Sequence, residues 1–268
     1  MKRLLITFYF VFSVLIAPAA FSQESDTVYV YQDEGVSEES LKQTILSFQR
    51  LIKKYAVTTI NAQKVKEGVW TKNAILFVMP GGADLPYVKK LNGKGNEVIK
   101  KYVTNGGSFL GICAGSYYGS SYVEFDKNGP LEVLGSRELS FFKGSAIGPI
   151  LAPYDYKTQS GSRAATIHTT LPNVTKTIVF YNGGGFFENA EQYPNTKVIG
   201  TYDNDLPAII LINYGKGKVL LSGVHFEYDP YLLNPKDEHI QKIIEPLSKG
   251  NDLREVLFRD LMKLIGAK

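Results

Sequence analysis

Apolar and polar positions follow two rhythms along the chain. Short apolar or β-branched runs at Thr27–Tyr31, Ala56–Ile60, Ala74–Met79 and Ser108–Ile112 predict strands. The last two, AILFVM and SFLGI, suit strands covered on both faces of a parallel sheet. After Ser37-Glu38-Glu39-Ser40, the residues Leu41, Ile45, Phe48, Leu51 and Ile52 recur at helical spacing as far as Lys54. Residues 96–103 read as another helix, stopped at Asn105-Gly106-Gly107. Strands alternating with helices predict an α/β fold with a parallel sheet.

The second half changes rhythm. Residues 131–139, 141–150, 164–168 and 177–181 read as strands with few helices between them. Residues 198–202, 208–213 and 218–224 add three more, and Tyr214-Gly215-Lys216-Gly217 marks a tight turn. Residues 236–247 and 252–264 close the chain as helices. No repeat, low-complexity tract or linker divides residues 23–268, which predicts one domain with a β-rich region inserted in or appended to the sheet.

The first 22 residues read differently. Lys2 and Arg3 precede an uncharged apolar run over residues 4–17, and small residues follow in APAAFS. The run is short for a membrane span, which needs about 20 residues. It predicts a signal peptide over residues 1–22, cleaved after Ala19 or Ser22; an uncleaved anchor is the alternative. No cysteine follows to accept a lipid. The expectation is an exported protein, periplasmic or secreted, with no stable membrane span after cleavage.

Composition narrows the chemistry. The net charge is +4, and loss of residues 1–22 leaves 28 basic against 26 acidic residues, or +2. That balance, without basic–aromatic interleaving, argues against nucleic acid. A single cysteine excludes an intramolecular disulfide and a multi-cysteine metal site, and three histidines leave little for a histidine-rich one. No metal and no cofactor are expected.

The one cysteine has a distinctive setting. Gly111-Ile112-Cys113-Ala114-Gly115 fits G-x-nucleophile-x-G between a buried strand and a segment, Ser116-Tyr117-Tyr118, able to start a helix. A free cysteine buried as a small hydrophobe is the other reading. His225 follows the strand at 218–224, and Glu227 lies two residues on, on the same side of an extended segment. His225 then suits a base for Cys113 and Glu227 its orienter, at the strand end where α/β sheets bind ligands. His168 reads as structural, and His239 sits on a solvated helix. Pro80-Gly81-Gly82-Ala83-Asp84 is either a plain turn or, with the Ala114 amide, an oxyanion hole. Asn182-Gly183-Gly184-Gly185-Phe186-Phe187 is a second glycine-rich turn able to line a pocket, without the lysine of a phosphate loop.

Together these segments resemble the class I glutamine amidotransferase superfamily and, within it, the biotin-protein ligase N-terminal-domain-like family. PGGADLPY (80–87), GICAGSYYG (111–119), FFKGSAIGP (141–149) and YNGGGFF (181–187) carry the resemblance, which spans residues 28–228. It implies a flavodoxin-like parallel sheet flanked by helices, with extra strands in the second half. It also implies Cys113 as nucleophile, His225 as base, Glu227 as orienter, and Gly82 and Ala114 as the oxyanion hole. Gly81, Tyr117, Asn182, Gly183 and Gly184 are the expected substrate pocket. The superfamily's H-P-E reads His225-Phe226-Glu227 here, and the GRGRxG loop of a biotin ligase core is absent, so biotin ligation is not expected.

The first functional expectation is a cysteine-dependent hydrolase of amide C–N bonds, on γ-glutamyl or peptidoglycan-derived amides, with a small-molecule or peptide substrate. The alternative is a non-catalytic binding or scaffold protein that keeps the fold and serves a protein partner. A third reading, a cysteine variant of the α/β-hydrolases, needs Asp203 or Asp205 as the acid.

Overall fold

The computed structural model describes residues 26–267. The leader expected over residues 1–22 lies outside them. No described helix is long and apolar enough to cross a membrane.

The first half alternates as the pattern predicts: β1 (Thr27–Tyr31), α1 (Glu38–Leu51), β2 (Ala56–Ile60), α2 (Ala62–Glu67), β3 (Ala74–Met79), α3 (Asp84–Leu91), α4 (Lys94–Thr104) and β4 (Ser108–Ile112). A short helix α5 (Ala114–Gly119) leads to β5 (Ser120–Phe125), β6 (Val133–Ser136), β7 (Phe142–Gly148), β8 (Arg163–Leu171) and β9 (Val174–Tyr181). Strands β10 (Phe186–Phe187), β11 (Thr196–Tyr202), β12 (Pro207–Tyr214) and β13 (Gly217–Ser222) follow. Helices α6 (Glu238–Gln241), α7 (Ile244–Lys249) and α8 (Asn251–Leu264) close the chain.

The main sheet has nine strands in the order β2-β1-β3-β4-β13-β12-β11-β8-β9. The first five are parallel, and the rest continue antiparallel. A second, four-stranded sheet runs β10-β7-β5-β6. The β-rich half therefore does two jobs: it extends the main sheet and builds a smaller one beside it.

Alternation along the central strands divides the core. Val28, Val30, Leu76, Val78, Leu110 and Ile112 turn to one face and pack with Phe48 of α1 and Leu257, Phe258 and Leu261 of α8. Tyr31, Phe77, Met79 and Phe109 turn to the other, against Tyr87 of α3 and Ile99, Tyr102 and Val103 of α4. Each fully buried aliphatic side chain contributes about 1.5–3 kcal/mol, so these two layers hold the central strands in place. The fold is thus mixed α/β, with helices on both faces of a large sheet.

Three expectations are corrected here. The helix expected over 236–247 is broken into α6 and α7. Pro246 lacks an N–H, and its ring meets the carbonyl four residues back, at Lys242, where α6 ends. The turn expected over residues 80–84 ends one residue earlier, because α3 begins at Asp84. Pro86 is tolerated there because first-turn amides have no intrahelical acceptor to lose. The stretch at 131–139 keeps only β6, with Arg137 turned to an ion pair and Ser140 at φ 45°.

Candidate active site

Because β3, β4 and β13 are parallel neighbours, their carboxyl ends open at one edge of the sheet. Pro80-Gly81-Gly82 leaves β3, Cys113 leaves β4, and His225 follows β13. Cys113 is pinned between strand and helix. Its amide donates to the Ser222 carbonyl at 2.8 Å, and its own carbonyl accepts from the amides of Ser116 (2.9 Å) and Tyr117 (3.1 Å). Its backbone sits at φ 50° and ψ −109°, a region that L residues rarely occupy. Such strain costs of order 1–3 kcal/mol and persists only where the surroundings impose it. Glycine at 111 and 115 is a steric demand. A Cβ at Gly111 runs into the Gly115 carbonyl, and one at Gly115 into the Met79 carbonyl.

His225 and Glu227 are both buried, with Glu227 wholly inaccessible. His225 Nδ1 lies 2.7 Å from Glu227 Oε1. The His225 amide donates to the Phe180 carbonyl at 2.8 Å, fixing the segment against β9. Burial pushes the imidazole down, but the Glu227 carboxylate and the Cys113 side chain outweigh it and raise its pKa from 6.5 to about 10. The ring and the cysteine share one small space. A Cβ on Gly81 falls 2.8 Å from His225 Cε1 and 3.4 Å from Cys113 Cβ. The thiol points at the Asn182 carbonyl, 3.6 Å away.

The glycine turn after β3 is built around Gly82, at φ 146°, where a Cβ collides with the Gly35 carbonyl. Its neighbours' backbone groups are engaged: Gly81 O accepts from Ser37 N, and Ala83 N donates to Gly35 O. The Gly81 amide donates to Ser40 Oγ at 2.9 Å and is not free. The amides of Gly82 and Ala114 have no acceptor among the described residues.

A cavity of about 340 Å³ opens over these groups. Gly81, Gly82, Cys113, Ala114 and His225 lie in its lining, with Tyr117, Asn182 and Gly183. Tyr117 donates to the Gly183 carbonyl at 3.2 Å, tying α5 to the second glycine turn. Gly184 sits elsewhere, packed on the Gly223 backbone with its carbonyl accepting from the Tyr181 hydroxyl at 2.8 Å. Asp203 and Asp205 are exposed, and Asp203 pairs with His168 at 2.8 Å, so neither orients His225. That removes the third functional reading. His239 Nε2 lies 3.6 Å from Glu238 on α6, with its side chain 27% exposed.

Several supporting residues escaped the sequence reading. Helix α1 buries Ser40, Gln43, Thr44 and Ser47 as a polar stripe. Ser40 holds Gly81 N, Gln43 accepts from Asp229 N at 2.9 Å, and Ser47 donates to the Glu227 carbonyl. Arg254, 1% exposed on α8, donates to the Phe226 carbonyl at 3.0 Å and to Asn251 Oδ1 at 2.9 Å. Burial lowers its pKa, against the pull of Asp229 and Glu255. The signals were readable: small uncharged polar residues at i, i+3, i+4 and i+7 on α1, and an arginine on the apolar face of α8.

Residues 26–268 match the family described as the biotin-protein ligase N-terminal domain. The chain belongs to that family. It is 37% identical over 250 residues to an uncharacterised protein of Chlamydia muridarum, covering 88% of this chain and 93% of that one. It is 34% identical over 222 residues to a biotin–protein ligase of Schizosaccharomyces pombe, covering 79% of this chain. This family member spans only 35% of that ligase. A ThuA-like protein from Bacteroides uniformis shares the fold at TM-score 0.51 and 12% identity, over 90% of this chain and 92% of that one.

Proposed function

We propose that this member of the family is a cysteine-dependent hydrolase of amide C–N bonds. The observation that carries the reading is the buried Cys113–His225–Glu227 grouping beneath a cavity, with two unused amides beside it. Cys113 Sγ attacks the amide carbonyl. The developing oxyanion takes hydrogen bonds from Gly82 N and Ala114 N. The C–N bond breaks as the His225 imidazolium gives its proton to the leaving amine, and a thioester remains on Cys113. Water then loses a proton to His225 and attacks the thioester, releasing the acid and restoring the thiolate. Glu227 holds the imidazole by Nδ1, leaving Nε2 for the proton transfers.

The strand order β2-β1-β3-β4-β13 supports a flavodoxin-like reading of the parallel half, akin to the class I glutamine amidotransferases. Lys2, Arg3 and the apolar run after them support an exported protein. The match to one third of a biotin–protein ligase gives no support to ligation by this chain, since the GRGRxG loop is absent.

A second reading, a binding protein that uses the same cavity without turnover, draws on the Cys113 thiol bonded to the Asn182 carbonyl. Acyl capture separates the two. The full chain is incubated with a panel of primary and secondary amides and quenched in acid, and its intact mass is measured. The hydrolase leaves an acyl adduct on Cys113 that is absent in Cys113→Ala and releases amine catalytically. No adduct and no amine from any amide overturns the hydrolase.

A further inference from the structure

The chain holds 30 basic and 26 acidic residues, yet the cavity over Cys113 is lined by no lysine or arginine. Apart from His225, its ionisable side chains other than tyrosine and cysteine are Glu39, Asp84, Asp155 and Asp237. Asp84 is already neutralised: its Oδ2 accepts from Nε of the buried Arg137 at 2.6 Å, and Arg137 is not part of the lining. The other three come from separate segments: the first turn of α1, the loop after β7, and the residue capping α6. None has an ion-pair partner among the described residues.

Neutral donors fix these carboxylates without cancelling their charge. Gln43 Nε2 holds Glu39 at 2.9 Å. The Lys157 amide and Thr158 hydroxyl hold Asp155 at 2.8 and 3.1 Å, and the Lys157 ammonium acts on it only at longer range. The amides of His239 and Ile240 hold Asp237 at 2.9 and 3.1 Å.

The rest of the wall suits the same ligand. Tyr117, Phe125, Tyr154 and Tyr156 form a run of edge-to-face contacts at 5.7, 5.9 and 4.9 Å, and Phe180 stacks on Tyr228 at 4.6 Å on the His225 side. Ring faces carry negative charge density and attract cations, more strongly where water is excluded. Asn182, another wall residue, has a buried Oδ1 with no donor, while its Nδ2 is fixed on Gln159 Oε1 at 3.2 Å. It is an acceptor left unused in a wall without lysine or arginine.

We propose that the amide taken by this cavity bears an ammonium group, held by Glu39, Asp155, Asp237 and the tyrosine faces. Amides whose only charge is a carboxylate are rejected. This rests on the reading of Cys113 as the nucleophile over which the substrate sits. It narrows the γ-glutamyl expectation: apart from the catalytic His225, a glutamyl α-carboxylate finds no cationic side chain in this wall, whereas the monoamide of a diamine finds three anions.

Cys113 is the one thiol in the chain, so charged thiol reagents read the potential at the site directly. Three methanethiosulfonates serve as probes: a trimethylammonium cation, a sulfonate anion and the neutral methyl reagent. In each, the Cys113 thiolate attacks the sulfenyl sulfur, the new S–S bond forms, and methanesulfinate leaves. Rates are divided by those of the same chain unfolded in urea, which removes intrinsic reagent differences. The normalised cation-to-anion ratio is expected at about ten-fold or more. It should fall to about three-fold or less in Asp155→Asn/Asp237→Asn and in 1 M salt. A ratio of one or below in the native chain overturns the proposal.

A second readout needs no reactive thiol. N-acetyl-1,5-diaminopentane is expected to raise the Tm of Cys113→Ser, and glutaric acid monoamide is not; the reverse order overturns the proposal. A high ratio with no turnover of any amide refutes the hydrolase and leaves an ammonium-binding cavity. Turnover with a ratio of one refutes the ammonium site alone.

Discussion

His225 Nδ1 lies 2.7 Å from Glu227 Oε1, and His168 Nε2 lies 2.8 Å from Asp203 Oδ1. The separations are almost equal, and the surroundings are not. The His225 and Glu227 side chains are 4% and 0% exposed, whereas those of His168 and Asp203 are 44% and 67% exposed. The first pair stands beyond β13, at the carboxyl ends of the parallel strands, with Cys113 beside it and a cavity above. The second stands between β8 and the end of β11, in the antiparallel extension of the same sheet. At the surface, water and counterions screen the attraction, so such a pair is worth about 0–1 kcal/mol. Beneath the cavity nothing screens it, and the imidazole keeps its proton far above its ordinary range. A short His–carboxylate distance therefore says little about chemistry until burial and a nucleophile are added.

The largest effect that can break this contrast comes from the carboxylates. Glu227→Gln removes the charge that holds Nδ1 and lets an amide N–H face the ring, favouring the wrong tautomer, and is expected to lower amide turnover by about 10³–10⁴-fold. Asp203→Asn is expected to leave turnover unchanged and to shift stability by less than about 1 kcal/mol. Turnover assays and urea melts on both variants check this; equal losses would erase the distinction between the regions.

A smaller effect appears in the pH dependence of stability. The folded pKa of His225 is raised to about 10 from the ordinary value of 6.5. Below 6.5 both states bind the proton, and the stabilisation is fully present. Between 6.5 and 10 the native state holds a proton that the unfolded chain has released, so stability falls as pH rises through this window. The slope is at most about 1.4 kcal/mol per pH unit. Urea melts from pH 6 to 10 should show this slope in the native chain and not in His225→Gln, while His168→Gln keeps it. Identical slopes in all three would contradict the buried, protonated pair.

The parallel region was also the legible one. The bounds of β1, β3 and β4 follow from the apolar runs, because strands buried on both faces have no polar alternation to blur them, and those of the edge strand β2 follow from its β-branched residues. Cys113, His225 and Glu227 could be singled out because each follows such a strand. Helix α3 was hidden by Pro86 in its first turn, and the break before α7 by treating Pro246 as one more helical residue. Strand β5, SSYVEF, follows α5 directly, with no loop between Gly119 and Ser120 to announce it. The polar stripe of α1 was visible as a spacing, but its partners were not. Ser40, Gln43 and Ser47 bond loops more than 40 residues away, and no local pattern encodes such partners. The sorting of acids into the cavity wall is likewise a property of the assembled loops.

The central claim is that His225 activates Cys113. The most direct measurement is the rate of alkylation of Cys113 by iodoacetamide, followed by intact mass from pH 5 to 10, in the native chain beside His225→Ala. At pH 6.5 the native thiol is expected to react about ten-fold faster or more than in the variant. Equal rates with the same rising pH profile in both proteins would mean that the histidine and the cysteine are neighbours without being partners.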